Sequence, residues 1–217
     1  MNPALIELII LAGIAVFLFL RLRSVLGTRE GFEKPRMQPK NDAPKRDFKV
    51  IDGGEDKDIT DNVEKNSSSA KALKTIKEND EAFMVNEFLS GARSAYEWIL
   101  MSFEKNEIDD IRELLSEEVA EAFDSVVEQR ISQGLTIEAE FIGVREMKLV
   151  DASYNSKTNT AEIAVSFIGE MTSVVKNSSG EIVEGDSKQI KRQKDTWTFS
   201  KDIKSSNPNW LLVATGE

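Results

Sequence analysis

At Gly134 the hydrophobic period of this chain changes from about 3.6 residues to two, and that change decides its fold class. Before it, Val85, Phe88, Leu89, Ala92, Tyr96, Ile99 and Phe103 recur on one helical face. They predict a long helix over residues 81–104, with Asn79 and Asp80 placed to cap it. Ile108, Ile111, Leu114 and Leu115 mark a short second helix. Val119, Phe123, Val126, Val127 and Ile131 mark a third, opened by Ser116 and stopped at Gly134, where a glycine can take the left-handed turn. Beyond Gly134, Ile137, Ala139 and Phe141 alternate with Glu138 and Glu140 in a strand running to about residue 154. Ala161, Ile163, Val165, Phe167 and Met171 form a second strand after a turn at 155–159. Residues 188–201 form a third, with Trp197 and Phe199 on one face, and a turn at 205–209 leads into a last strand at 210–215. Helices followed by an antiparallel meander give an α+β domain over residues 70–217, with the helices packed on one face of a curved four-stranded sheet. A concave apolar pocket is expected between the two layers.

The N-terminus obeys a different rule. Residues 4–20 are apolar except for Glu7, with Leu5, Ile6, Leu8, Ile9, Ile10, Leu11, Ile14, Val16, Phe17, Leu18, Phe19 and Leu20 supplying the bulk. As a helix this run reaches about 25 Å, the short end of a bilayer span. A cleaved signal peptide would place basic residues before the run and a small-residue cleavage site after it. Here Arg21 and Arg23 follow instead, so residues 1–23 are expected to remain as a transmembrane anchor. The basic flank is held on the cytoplasmic side, or on the matrix side of a mitochondrial inner membrane, and the rest of the chain goes with it. Residues 24–69 hold Pro35, Pro39, Pro44, the pair Gly53-Gly54 and a run of serines, with no sustained period. They are expected to be a disordered linker, with an r.m.s. reach of roughly 35 Å. Asp52, Asp56, Asp58 and Asp61 do not make a calcium loop, because the slot that needs glycine holds Asp61.

Composition removes whole classes of function. The chain has no cysteine and no histidine, so thiolate and imidazole metal sites and Ser-His or Cys-His catalysis are all closed to it. No glycine loop for phosphate is present, and the neighbouring carboxylates Asp109-Asp110 and Glu117-Glu118 would face different ways on helices. Neither an enzyme nor a cofactor is expected. Charge is divided: residues 21–49 carry nine basic and four acidic side chains, which with Glu7 leaves −14 on residues 50–217 of a chain whose net charge is −10. Such a body repels nucleic acid, so none is expected as a partner.

Particular blocks carry a resemblance. Residues 88–96, reading FLSGARSAY, the Leu114-Leu115-Ser116 turn into Val119, Asp195-Thr196-Trp197-Thr198-Phe199, and Asn207-Pro208-Asn209-Trp210 with Leu212-Val213-Ala214-Thr215 resemble the Tim forty-four family. With Leu26-Gly27-Thr28-Arg29 after the apolar run, they are similar to its alpha-proteobacterial TimA branch. The resemblance covers the anchor junction and almost all of residues 81–217. It implies a fold like the nuclear-transport-factor-two or cystatin-like type with a large apolar pocket. It also implies a location at a bacterial inner membrane, or at the mitochondrial inner membrane, where members tether the import motor to the translocase and contact cardiolipin.

Candidate site residues follow from both readings. Phe88, Ala92, Tyr96, Ile99, Phe141, Val165, Phe167, Trp197, Phe199 and Trp210 are the expected pocket lining, with core packing as the alternative. Arg21, Arg23, Lys191 and Arg192 are candidates for contact with anionic lipid or an acidic partner; a solvated strand face protected against edge pairing is the alternative for the last two. The expected function is a membrane-anchored protein-binding module that holds a partner or client segment (a translocase, chaperone or unfolded chain) at the inner face of the membrane, in protein translocation or membrane-protein handling. A lipid-binding domain that takes an acyl chain or anionic lipid in the pocket is the rival.

Overall fold

The computed structural model describes residues 56–216. The expected anchor and most of the expected linker lie outside them. Among the described residues no helix is long and apolar enough to cross a membrane. The order of elements is α1 (Lys57–Thr60), α2 (Ser68–Asn79), α3 (Val85–Glu104), a 3-10 helix (Ile108–Leu114), α4 (Glu117–Ser132), then β1 (Thr136–Asn155), β2 (Thr160–Lys176), β3 (Ile182–Asp202) and β4 (Leu211–Gly216). The four strands form one antiparallel sheet in the order β1-β2-β3-β4, as the change of period predicts.

Ordered structure begins earlier than the sequence suggests. The expected linker runs to Ser69, yet Ile59 of α1 is buried in the core and Ser67 caps α2, its hydroxyl accepting the Ala70 N–H at 3.0 Å. Nor does the long helix start at residue 81. Asp80 ends α2 and holds the next turn, accepting the Ala82 N–H at 3.2 Å, so α3 opens at Val85. Its N-cap position is Met84, which has no side chain to serve it. The carboxylate of Asp58 does that work from α1, accepting the N–H of Val85 at 2.7 Å and of Asn86 at 3.0 Å. Lys77 of α2 reaches the same carboxylate at 2.8 Å and Asp56 at 2.7 Å, tying three helices together. Asp56 and Asp58 are therefore caps and ion-pair partners.

The end of α4 follows expectation. Gly134 has φ 67°, and the N–H groups of Gly134 and Leu135 return to the carbonyls of Ile131 and Arg130. Its apolar stripe is narrower than expected: Val119, Ala120 and Val127 are buried, while Val126 and Ile131 are exposed.

The strand β1 curves because it bulges. Its pairing with β2 shifts between Phe141 and Gly143, between Val144 and Glu146, and between Leu149 and Asp151. Each extra residue bends the strand and keeps the next apolar side chain facing inward. Near the last bulge the Ala152 N–H is satisfied by the Ser69 hydroxyl at 3.2 Å, which in turn donates to Asp151 at 2.8 Å. The result is a sheet wrapped around α3, with Val165 and Phe167 of β2 fully buried beneath it.

The second and third strands are both longer than the periodicity predicts. They continue past Met171 and begin before Lys188, joined by a turn in which the Asn177 side chain accepts the N–H of Ser179 and of Glu181, each at 3.0 Å. The extension forms an arm. Gly185, with φ 85°, lies against β2 so closely that a Cβ there would meet the Ser173 carbonyl oxygen at 2.1 Å. Every residue from 181 to 194 is exposed.

Candidate functional site

The side chains expected to line a pocket fill the space between helix and sheet. Tyr96 is the centre: its ring stacks on Phe167 at 4.4 Å and lies 4.7 Å from Trp197 and 6.1 Å from Phe141. A second group continues from it, Trp197 to Phe199 at 6.3 Å, Phe199 to Phe88 at 5.9 Å and Phe88 to Trp210 at 4.8 Å. Ala92, Ile99 and Val165 pack into the same core. Of the expected lining residues, eight are buried in the core, and Phe141 and Trp210 are partly buried against it. Three large rings converge on Tyr96 from β1, β2 and β3.

One polar arrangement sits inside this core. The Tyr96 hydroxyl donates to the Asp195 carboxylate at 2.5 Å, and the Gln193 amide donates to its other oxygen at 3.0 Å. Burial, then the hydrogen bond to Asp195 and that residue's charge, push the Tyr96 phenol far above its ordinary range, so it remains a neutral donor. Gly169 makes the approach possible, because a Cβ there would stand 2.6 Å from the Tyr96 hydroxyl. The arrangement fixes α3 to β3.

A half-buried ion pair closes the other end of α3. Arg130 of α4 lies over the Phe103 ring at 4.3 Å, donates to the Phe103 carbonyl at 2.9 Å and approaches Glu104 at 3.8 Å. Burial raises the pKa of Glu104 against the opposing charges of Arg130 and Lys191, and burial lowers that of Arg130.

The structure separates the two basic candidates that it describes. Directly paired residues share a face of a sheet, so Lys191, opposite buried Met171, is on the helix side and near Glu104. Arg192, opposite Glu170, is on the outer side, where its Nε donates to Glu170 at 2.8 Å and Arg145 adds a bond to the same oxygen at 3.3 Å. They do not form one lipid-phosphate clamp. Arg21, Arg23 and the apolar run of residues 4–20 lie outside the described residues. On the outer face, a depression of about 500 Å³ is lined by Glu146, Lys148, Leu149, Val150, Ser166, Ile168 and Lys194. Another of about 290 Å³ lies at the β1–β2 turn, among Ser153, Asn155, Thr158, Thr160 and Glu162. Neither includes an expected pocket residue.

What the sequence reading passed over is the arm. Ile182, Val183 and Ile190 each expose more than half of their surface there. Their signal was present as isolated β-branched residues within the polar stretch 177–194.

Helices on one face of an open antiparallel four-stranded meander, with aromatic rings packed between the two layers, define an α+β domain. A family model for the Tim44-like domain matches residues 69–217, and the chain belongs to that family. The resemblance carried by residues 88–96 and by the C-terminal block therefore stands at the level of the family, which carries a general role in protein interaction or translocation. No curated protein matches the chain. Among solved structures, the crystal structure of the intermembrane space region of chloroplast protein ARC6 is similar at 8% identity and a TM-score of 0.36, over 66% of this chain and 94% of that one.

Proposed function

We propose that this chain is a membrane-anchored protein-binding module of the alpha-proteobacterial TimA type, acting by binding rather than by catalysis. Its domain would sit on the cytoplasmic side of the bacterial inner membrane, held there by residues 1–23, and keep a partner or client segment close to the translocating or inserting chain. Tethering raises the local concentration of a weak binder, so modest affinity suffices. The observation that supports this reading best is the filled interior, which moves recognition to the outer surface, where sheet faces and edges suit proteins better than acyl chains. The lipid alternative would need a cavity among Tyr96, Phe141, Phe167 and Trp197, and those rings pack against one another.

The test is chemical crosslinking in intact membranes, comparing the full chain with one lacking residues 1–23. The reading predicts discrete protein adducts with the full chain and their loss with the shortened one. Adducts that persist unchanged without those residues would sink the tethering claim. Flotation of the shortened chain with anionic but not zwitterionic vesicles would favour the lipid alternative.

A further inference from the structure

The two sides of α3 follow different patterns. Its inner side carries Val85, Phe88, Leu89, Ala92, Tyr96 and Ile99 into the core. On the opposite side Glu87, Gly91, Ser94, Trp98, Met101 and Lys105 follow one another at alternating steps of four and three residues. That is the spacing by which two helices pack along a seam. Met101 is half-buried and the other five are exposed, Trp98 with 52% of its surface in solvent. Among the described residues, neither Glu87 nor Lys105 has a side-chain hydrogen bond or ion pair.

The domain itself gives no reason for two of these residues. Glycine weakens a helix and is kept where something must come close. At Gly91 nothing in the domain does, since a Cβ there would meet no atom within 4 Å. Trp98 is a large apolar ring on a face that the core does not use, and such rings anchor the centres of interfaces.

A second copy of α3 laid antiparallel accounts for both. With the two-fold axis level with residue 96, each large side chain meets a small one. Trp98 lies over Ser94 of the second copy, and Met101 over its Gly91. At each end Glu87 meets Lys105 of the second copy, and the positive end of one helix lies beside the negative end of the other. Parallel copies would instead set Glu87 against Glu87 and Trp98 against Trp98. Glu97 flanks the seam beside its own copy, with Arg93 one turn away on the same helix to offset it.

We infer that the outer face of α3, from Glu87 to Lys105, is an interface between two copies of this chain, paired antiparallel with Trp98 at its centre. A seam of about five turns is a small interface, so the pair forms best where the chains are concentrated at a membrane. This surface is separate from the arm, and the pairing holds whatever partner the module binds.

The chain has no cysteine, so introduced ones report on the pairing without background. Two differently tagged full chains, Glu87→Cys and Lys105→Cys, are made together in one membrane and treated with a short bis-maleimide. A crosslinked dimer is expected only when both are present, because two copies of either position alone stand about 27 Å apart along the helices. Adding Trp98→Ala to both chains should lower the yield about tenfold or more. Gly91→Leu in both should lower it as much while the melting temperature of the solubilised chain holds or rises, since leucine has room there and suits a helix better. Absence of the mixed crosslink, crosslinks of equal yield from either cysteine alone, or a mixed crosslink that Trp98→Ala and Gly91→Leu leave intact would each overturn the inference. So would a crosslink from Lys105→Cys to a different protein with none to Glu87→Cys, since that protein would then be the occupant of the face.

Discussion

Replacing Asp58 with alanine is expected to cost about 3 kcal/mol of folding stability, more than a surface aspartate would warrant. Its side chain is 8% exposed and serves three groups at once: two N–H groups at the open end of α3 and the Lys77 ammonium. Alanine would strand all three. Asp58→Asn, which keeps one acceptor and the side-chain volume but loses the charge, should cost less, about 1–2 kcal/mol. Urea unfolding of both variants measures the difference. The effect has a definite pH dependence. Burial opposes ionisation of Asp58, but the hydrogen bonds from Lys77, Asn86 and Val85 and the Lys77 charge outweigh it and hold its pKa below the ordinary carboxylate value. A depressed folded-state pKa contributes stability that is complete above the unfolded value of about 4 and is lost as pH falls through the folded value. The gap between wild type and Asp58→Ala should therefore be full at neutral pH and shrink below pH of about 4. A difference under about 0.5 kcal/mol at neutral pH would show that α3 finds another cap.

Tyr96 and Gly169 should behave as one unit. Tyr96→Phe removes a donor from a buried carboxylate and is expected to cost about 1.5–3 kcal/mol. Gly169→Ala places a methyl group against the Tyr96 hydroxyl and is expected to cost about 1–3 kcal/mol through overpacking. Combined, the two should cost less than their sum, because the phenylalanine ring lacks the oxygen that stands nearest the new methyl. Additivity to within about 0.5 kcal/mol in the denaturation cycle would mean that the two positions are independent and the close approach does not exist.

The architecture was legible because it rests on local signals. Strand alternation, the glycine stop at Gly134 and the turn residues at 155–159 and 205–209 each determine structure within a few residues. What escaped depends on distance along the chain. The cap of α3 comes from Asp58, 27 residues before Val85, and no local pattern announces it. Ser67, Ser68 and Ser69 have the composition of a linker, although Ser67 opens a helix and Ser69 is buried against β1. The apolar face of α3 and the inner faces of the strands have one periodicity whether the space between them is hollow or full. Only the packing distances around Tyr96 separate a pocket from a core. The family of the chain was legible in its aromatic C-terminal block, whereas the arm lies where polar residues conceal a hairpin held by Asn177 and Gly185.

A photo-crosslinking residue placed in turn at Ile190 and at Tyr96 of the membrane-anchored full chain would test most directly where this domain meets its partners. The account predicts discrete protein adducts from Ile190 and none from Tyr96, whose side chain has no exposed surface. Adducts from Tyr96, with protein or with lipid, and none from Ile190 would mean that the interior opens to a ligand and that recognition does not occur on the arm.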